Sequence, residues 1–96
     1  MPLRFAYDPA KDLANRHRHG LSLVEGAHVL LGDPNRQLTR LDPRHVEERW
    51  ITLGPHPEIP SLLVVVYHYR SHDLVRLISV RKATAQERKS YAHRIS

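Results

Sequence analysis

Arginine and histidine side chains lie where the chain is predicted to form strands. Fixed guanidinium groups can hold a phosphodiester and stabilise charge on a pentacoordinate phosphate, because the planar fork of arginine meets two phosphate oxygens at once. A histidine can accept the proton of an RNA 2′-hydroxyl group. These residue types could therefore act on RNA without a metal ion. The candidates are Arg49, His68, Arg70, Arg76, Arg81 and Lys82.

Each candidate also has a structural interpretation. A strand arginine often extends its stem over apolar neighbours and keeps its charge in water. His68 could serve only a structural hydrogen bond. Trp50 could stack on a base, although half-buried packing is the more common outcome for a strand tryptophan. Residue type alone leaves these alternatives open.

Alternation along the last two strands divides the candidates between two faces. If these strands form a hairpin with a tight turn, Tyr67 opposes Arg76 and His68 opposes Val75. Arg76 and Arg81 then point to opposite faces of the sheet. They share a face only if a β-bulge intervenes, or Arg81 lies past the strand end.

Three helices are predicted from capping patterns. Asp8 is expected to cap a first helix that begins at Pro9 and ends at Gly20. The pairs Ser22/Glu25 and Thr84/Glu87 have capping-box spacing and predict a second helix and a last helix. Apolar spacing gives one face of the first helix as Ala10, Leu13, Ala14 and His17, and a buried stripe of the second as Val24, Ala27, His28 and Leu31.

The strands and helices together predict an α+β fold in the order β-α-α-β-β-β-β-α. We expect a twisted antiparallel sheet with the helices packed on one face and the other face open. The loop around Pro55-His56-Pro57 is expected to be mobile. The predicted strands are Leu3–Tyr7, Arg36–Leu41, Glu48–Leu53, Leu62–Tyr69 and Asp73–Arg81.

Composition limits the possible classes of protein. A chain of 96 residues is expected to form one domain, spanning residues 1–96. It has no cysteine, which excludes disulfides and thiolate zinc sites. Its eight histidines are scattered, so no metal site is predicted. No apolar run is long enough for a membrane span and no signal peptide is visible, so a soluble cytoplasmic protein is expected.

Positive charge is concentrated near the end of the chain. The formal net charge is +5, and the segment 70–96 holds seven lysines and arginines against two acidic residues. Such a field suits the backbone of RNA or DNA, or an acidic protein partner. A solubilising surface remains the alternative on composition alone.

Several motifs, in this order along the chain, resemble the BrnT family of toxins, and together they cover nearly its whole length. Arg18 replaces the usual lysine of the family pattern, Leu31 replaces an aromatic residue, and the loop from Pro55 to Ser61 is longer than a tight hairpin. The matching residues are Asp8-Pro9-Ala10-Lys11, Asn15, Arg18-His19-Gly20, Ser22, Leu30-Leu31-Gly32-Asp33-Pro34, Glu48-Arg49-Trp50-Ile51-Thr52-Leu53-Gly54, and Arg76, Ile78, Ser79, Arg81, Lys82 and Ala83.

The resemblance implies a RelE-like ribonuclease toxin of a type II toxin–antitoxin system. It singles out Arg49, Arg76 and Arg81 as catalytic positions. His68 is the candidate general base on other grounds, as a histidine on a strongly predicted strand. RNA cleavage would be metal-independent, need no cofactor and inhibit translation. The expected RNA-binding residues are Trp50, Arg70, Lys82, Arg88 and Lys89.

The resemblance also implies a partner. The expected antitoxin is BrnA-like, with a ribbon-helix-helix DNA-binding domain, and forms a heterotetramer with the toxin. The toxin would reach operator DNA only through that antitoxin. Two other classes of function remain open on the residues: a non-catalytic RNA- or DNA-binding module, and an antitoxin-type interaction domain with a basic surface for an acidic protein.

Overall fold

A computed structural model describes residues 2–95, which form a five-stranded sheet and three α-helices. A short 3-10 helix follows the second α-helix, where none was predicted. None of the helices in residues 2–95 has the length and apolar character needed to cross a membrane. The elements are β1 (Arg4–Ala6), α1 (Pro9–His19), α2 (Val24–Leu30), the 3-10 helix (Pro34–Arg36), β2 (Leu38–Asp42), β3 (Arg49–Pro55), β4 (Leu62–Tyr69), β5 (Leu74–Lys82) and α3 (Ala85–Ile95).

The sheet is mixed, with the strand order β1-β5-β4-β3-β2. Strands β2 to β5 are antiparallel to their neighbours, whereas β1 runs parallel to β5. The prediction of a wholly antiparallel sheet is therefore wrong at this edge. A tight turn makes two consecutive strands antiparallel. Strands β1 and β5 are far apart in the sequence, so no tight turn sets their relative direction.

The helices do not all lie on one face, which corrects a second part of the predicted fold. Helix α2 crosses β3, β4 and β5, while α1 contacts β5. Helix α3 lies over the opposite face, where Ser90 and Arg94 share a groove with Ile51, Leu53 and Val64. That face is therefore partly covered, and none of residues 85–95 is buried.

The hydrophobic core lies between α2 and the central strands. Gly26 allows the close approach, because a Cβ atom there would lie 2.8 Å from Val80 Cγ2 and 2.9 Å from Val65 Cγ1. Val24 and Leu31, predicted to be buried, are instead 40% and 61% exposed. The glycine thus decides which side of α2 faces the sheet. The core residues are Leu21, Leu23, Ala27, Val29, Leu63, Val65, Tyr67, Val75, Leu77 and Val80.

Helix α1 begins and ends as predicted. The Asp8 carboxylate accepts a hydrogen bond from Ala10 N–H at 2.9 Å. Gly20 takes the left-handed conformation with φ 72°. The buried residues of the helix are polar, however: Asp12 and Asn15. The apolar stripe is therefore not what fixes α1 to the rest of the domain.

Asp12, and not the predicted Ser22/Glu25 capping box, binds the backbone at the start of α2. Its Oδ1 atom accepts hydrogen bonds from Leu23 N–H at 2.7 Å and from Ser22 Oγ at 3.0 Å. The Leu23 amide, helped by Ser22 and Arg16, lowers the pKa of the Asp12 carboxyl group although burial opposes this. The carboxylate therefore joins α1 to the start of α2.

The side chain of Asn15 pairs with the backbone of β5 beyond the end of the short strand β1. Its Nδ2 group donates to Val80 O at 2.9 Å, and its Oδ1 atom accepts from Val80 N–H at 3.2 Å. Nδ2 also donates to Leu21 O at 2.8 Å. The amide side chain thus satisfies backbone groups that would be costly to bury unpaired. It fixes the distance between α1 and β5.

The loop predicted to be mobile is anchored by His56, whose side chain is 5% exposed. Nδ1 accepts hydrogen bonds from the amides of Glu58 and Ile59 at 2.9 and 3.0 Å. Nε2 lies 2.8 Å from Glu25 Oε1. Because Nδ1 accepts twice, Nε2 carries the proton and donates to Glu25. Glu25, predicted to cap α2, instead holds this loop.

Candidate active site

A β-bulge in β5 decides which side chains share a face. Val66 pairs with Ser79, whereas the next residue, Tyr67, pairs with Leu77. Ile78 is therefore an extra residue on β5, and the alternation of side chains is reset there. This is one of the alternatives that the sequence left open.

The bulge brings Arg76 and Arg81 to the same face. Arg76 pairs with His68, and Arg81 pairs with Val64. His68 and Val64 lie four residues apart on β4, so their side chains point the same way. Their partners on β5 do so as well.

The predicted register of the β4–β5 hairpin is wrong by one residue. Tyr69 pairs with Val75, so His68 opposes Arg76 instead of Val75. The reason is a longer turn, in which Arg70 N–H donates to Leu74 O at 2.8 Å. One residue of slip moves every side chain to the other face.

Three candidate residues form a row across neighbouring strands, here called the cationic row: Arg49, His68 and Arg76. Trp50 pairs with Tyr67, so the preceding residue of β3, Arg49, follows next to His68. All three line one depression of about 330 Å³. The other lining residues are Lys11, Glu47, Arg70 and Ile78.

Charge in this depression is predominantly positive. Its lining includes Lys11, Arg49, Arg70 and Arg76 against the single acidic residue Glu47. Arg49 Nε donates to Glu47 Oε1 over 3.4 Å, and the two side chains are 26% and 51% exposed. Several cations that converge on a half-open site create a field for a phosphate group. A histidine at the centre adds a group that can carry a proton.

Arg81 is on the same face but not in this depression. Val64, its partner, is four residues from His68, which is about 13 Å along β4. Its guanidinium donates twice to Glu87, with both distances 2.8 Å. The structure therefore does not bring Arg81 together with the cationic row.

Glu87 links Arg81 to α3. Its Oε1 atom accepts from Thr84 N–H at 2.8 Å, and Glu87 N–H donates to Thr84 Oγ1 at 3.1 Å. The predicted capping box is thus confirmed. The hydrogen bonds from Arg81, supported by those from Thr84, lower the pKa of Glu87 to about 2 although burial opposes this.

Most of the expected RNA-binding residues lie elsewhere. Arg70 lines the depression, but Trp50 packs against the core on the other face. Lys82 opposes the buried Leu63 and so also belongs to that other face. Arg88 and Lys89 are exposed on α3 and do not line the depression. Only Arg70 of this group is brought to the candidate site, because Trp50 and Lys82 point to the other face and the last two residues lie on a separate helix.

Two charged lining residues were not among the candidates. Lys11 reaches the depression from α1, and Glu47 reaches it from the segment before β3. Lys11 had a signal in the sequence, because it ends the Asp8-Pro9-Ala10-Lys11 motif. Glu47 had none, since a charged residue in a loop is usually solvated. Among residues 2–95, no group of three or more histidine, cysteine, aspartate or glutamate side chains could hold a metal ion.

A mixed sheet with helices on both faces, presenting arginines and a histidine in one depression, defines a small basic α+β protein. The chain matches, over residues 7–87, the family described as "Ribonuclease toxin, BrnT, of type II toxin-antitoxin system". It belongs to this family. The resemblance seen in the motifs is thereby confirmed, and with it a ribonuclease toxin that has an RNA substrate and an antitoxin partner.

A solved structure agrees at the level of the fold. The chain is similar to the 1.1 Å crystal structure of the Brucella abortus ribonuclease toxin BrnT, with a TM-score of 0.63. Sequence identity is 18%, and the match covers 85% of this chain and 97% of that one. No match was found among curated proteins.

Proposed function

We propose that the cationic row cleaves RNA by metal-independent transesterification. The observation that carries the proposal is the direct pairing of His68 with Arg76, beside Arg49 on the next strand. A proton acceptor between two fixed guanidinium groups is the arrangement that attack on a phosphodiester requires. The membership of a ribonuclease family supports the choice of RNA as substrate.

In the proposed reaction, His68 accepts the proton of the 2′-hydroxyl group. The 2′-oxygen forms a bond to phosphorus, and the bond from phosphorus to the 5′-oxygen breaks. Arg49 and Arg76 stabilise the charge on the phosphate oxygens in the transition state. Lys11 gives a proton to the departing 5′-oxygen. The products are a 2′,3′-cyclic phosphate and a free 5′-hydroxyl end.

Arg81 is proposed to act outside this reaction. Its planar fork is already engaged by the Glu87 carboxylate, at 2.8 Å for both contacts. A guanidinium held in this way has few donors left for a phosphate. We therefore assign it to the attachment of α3.

We further propose a cellular setting in line with the resemblance. The protein acts in the cytoplasm, cuts RNA needed for translation, and has a RelE-like fold. Its antitoxin is BrnA-like, carries a ribbon-helix-helix domain, and forms a heterotetramer that covers the depression. Operator DNA is bound only through the antitoxin. The excess of cations around the depression favours a partner with an acidic segment.

The test is cleavage of end-labelled RNA by the purified protein in EDTA. We expect cleavage to persist and the new ends to carry 2′,3′-cyclic or 3′-phosphate. A matched reaction uses the same RNA with 2′-O-methyl groups, which lacks the nucleophile and should stay intact. Activity lost in EDTA and restored by Mg²⁺ or Mn²⁺ would contradict the mechanism. Tight RNA binding without any cleavage would favour a non-catalytic RNA-binding module.

A further inference from the structure

We propose that single-stranded RNA lies in a trough along α1, with Tyr7 as a stacking platform for a base and Arg18 as a contact for a backbone phosphate. The proposal rests on the proposed function, since it extends the cationic row into a binding path. The proposed function assigns the residues that cleave RNA, whereas the trough assigns residues that only bind it. It concerns Tyr7 and Arg18, which take no part in the reaction, whereas Lys11 belongs to both the trough and the reaction.

The trough consists of three depressions that share their walls. The central one holds the cationic row. A second, of about 330 Å³, shares Arg70 and Arg76 with it. A third, of about 310 Å³, shares Lys11 and Ile78 with it. The surface is thus continuous from one end to the other, which a bound polymer needs.

The end at Tyr7 has the character of a base-binding subsite. Tyr7 is 41% exposed although it is a large aromatic residue, and it lines the second depression. Asp8 lies in the same lining and accepts a hydrogen bond from Ala10 N–H. The two arginines of this lining, Arg70 and Arg76, are those shared with the central depression. The part next to Tyr7 holds the Asp8 carboxylate, which repels phosphate and so favours a base over the backbone. Aromatic side chains bind any base by stacking, without sequence readout.

The opposite end has the character of a phosphate subsite. Lys11 and Arg18 both line the third depression, and they lie seven residues apart on α1. Seven residues are two turns, or about 10 Å, so the two side chains share one stripe of the helix. Asn15, His19 and Ser79 complete the polar part of this lining, which contains no carboxylate within the described residues. Cations along a groove without acids follow a nucleic-acid backbone.

The experiment measures binding of a fluorescent 2′-O-methyl RNA hexanucleotide, which cannot be cleaved, over a range of salt concentrations. Tyr7→Ala should weaken binding about 5- to 100-fold, as expected for one lost stack, without a change in salt dependence. Tyr7→Phe should bind like the unchanged protein. Arg18→Ala should lower the slope of log K against log salt by about 0.7, the value for one phosphate on a single strand.

Two controls make the result specific. Arg36→Ala removes one charge from the exposed 3-10 helix that precedes β2, at the far edge of the sheet from the trough, and should leave the slope unchanged. Arg18→Lys keeps the charge and should keep the slope. Thermal melting of each variant checks that it is folded. An equal effect of Arg36→Ala and Arg18→Ala would overturn the proposal, because only net charge would then matter.

The outcomes separate this proposal from the proposed function. If RNA is cleaved by the cationic row but Tyr7→Ala and Arg18→Ala bind the hexanucleotide normally, the trough is wrong and the function stands. If both variants bind weakly while no RNA is cleaved, the trough stands and the function is wrong. If both variants weaken only the complex with the antitoxin, the trough is a protein-binding surface and the proposal fails.

Discussion

His68 and Arg76 face each other across β4 and β5, because the turn between these strands is one residue longer than a two-residue turn. Arg76 therefore stands next to a histidine and shares a depression with Arg49. The bulge at Ile78, further along β5, has a separate effect. It puts Arg81 on the same face as Arg76, whereas unbroken alternation would put the two arginines on opposite faces of the sheet.

Arg76→Ala should reduce cleavage much more than it reduces stability. A guanidinium that contacts the reacting phosphate contributes about 2–4 kcal/mol to the transition state. Its loss should slow cleavage roughly a hundredfold or more. Arg76→Lys should rescue poorly, because it loses the two-point contact. Cleavage rate and growth inhibition on expression are the readouts, with thermal melting as the control. A folded Arg76→Ala variant with full activity would exclude Arg76 from catalysis.

His68→Asn should abolish the proton-accepting group and keep the side chain small and polar. We expect a loss of about 10²- to 10⁴-fold in cleavage, the range for general acid–base catalysis. Binding of 2′-O-methyl RNA should be unchanged. Glu47→Gln is the matched variant, because Glu47 is the other group in the depression that can accept a proton. If Glu47→Gln shows the large loss and His68→Asn does not, the base is Glu47.

Arg81→Ala should affect the attachment of α3 more than catalysis. Arg81 and Glu87 contact each other twice at 2.8 Å, and Glu87 caps the helix. Each single variant, Arg81→Ala and Glu87→Gln, should cost about 1 kcal/mol, and the double variant little more than either. Chemical denaturation measures this cycle. Additive losses, or a hundredfold loss of cleavage in Arg81→Ala alone, would return Arg81 to the catalytic residues.

The Arg81–Glu87 contact should make stability depend on acid pH. The pKa of Glu87 in the folded protein is lowered to about 2 from its ordinary value of 4.5. A lowered pKa contributes stability that is present above the unfolded value and is lost as pH falls through the folded value. The difference in melting temperature between the unchanged protein and Glu87→Gln should therefore have its full value near neutral pH. It should shrink from about pH 4.5 downwards. A difference that grows on acidification would contradict this assignment.

Gly26→Ala should destabilise the domain, although alanine favours helices. The new Cβ atom would lie 2.8 Å from Val80 Cγ2 and 2.9 Å from Val65 Cγ1, and both neighbours are core side chains. Overpacking of this kind typically costs about 1–3 kcal/mol. For a domain of this size each kcal/mol lowers the melting temperature by about 4–8 °C. An unchanged or raised melting temperature would mean that α2 can move away from the sheet.

Features that depend on a few neighbouring residues were predictable from the sequence. The ends of α1 at Asp8 and Gly20 follow from local hydrogen bonding and backbone conformation, as does the Thr84/Glu87 capping box. The central strands were also recognisable from their alternating and β-branched residues. The motifs indicated the family before any contact was known. Arg49, His68 and Arg76 could be named as candidates because residue type alone suggests their chemistry.

Features that depend on residues distant in the sequence were decided only by the tertiary structure. The bulge at Ile78 follows from how β5 matches β4, and a difference of one residue reverses which face a side chain occupies. Lys11 lies in the same depression as the cationic row, because Asn15 holds α1 against Val80, 65 residues away along the chain. The separation of Arg81 follows from its pairing with Val64, which is four residues along β4 from His68. Local propensity carries no information on such pairings, since the partners meet only when the sheet has formed.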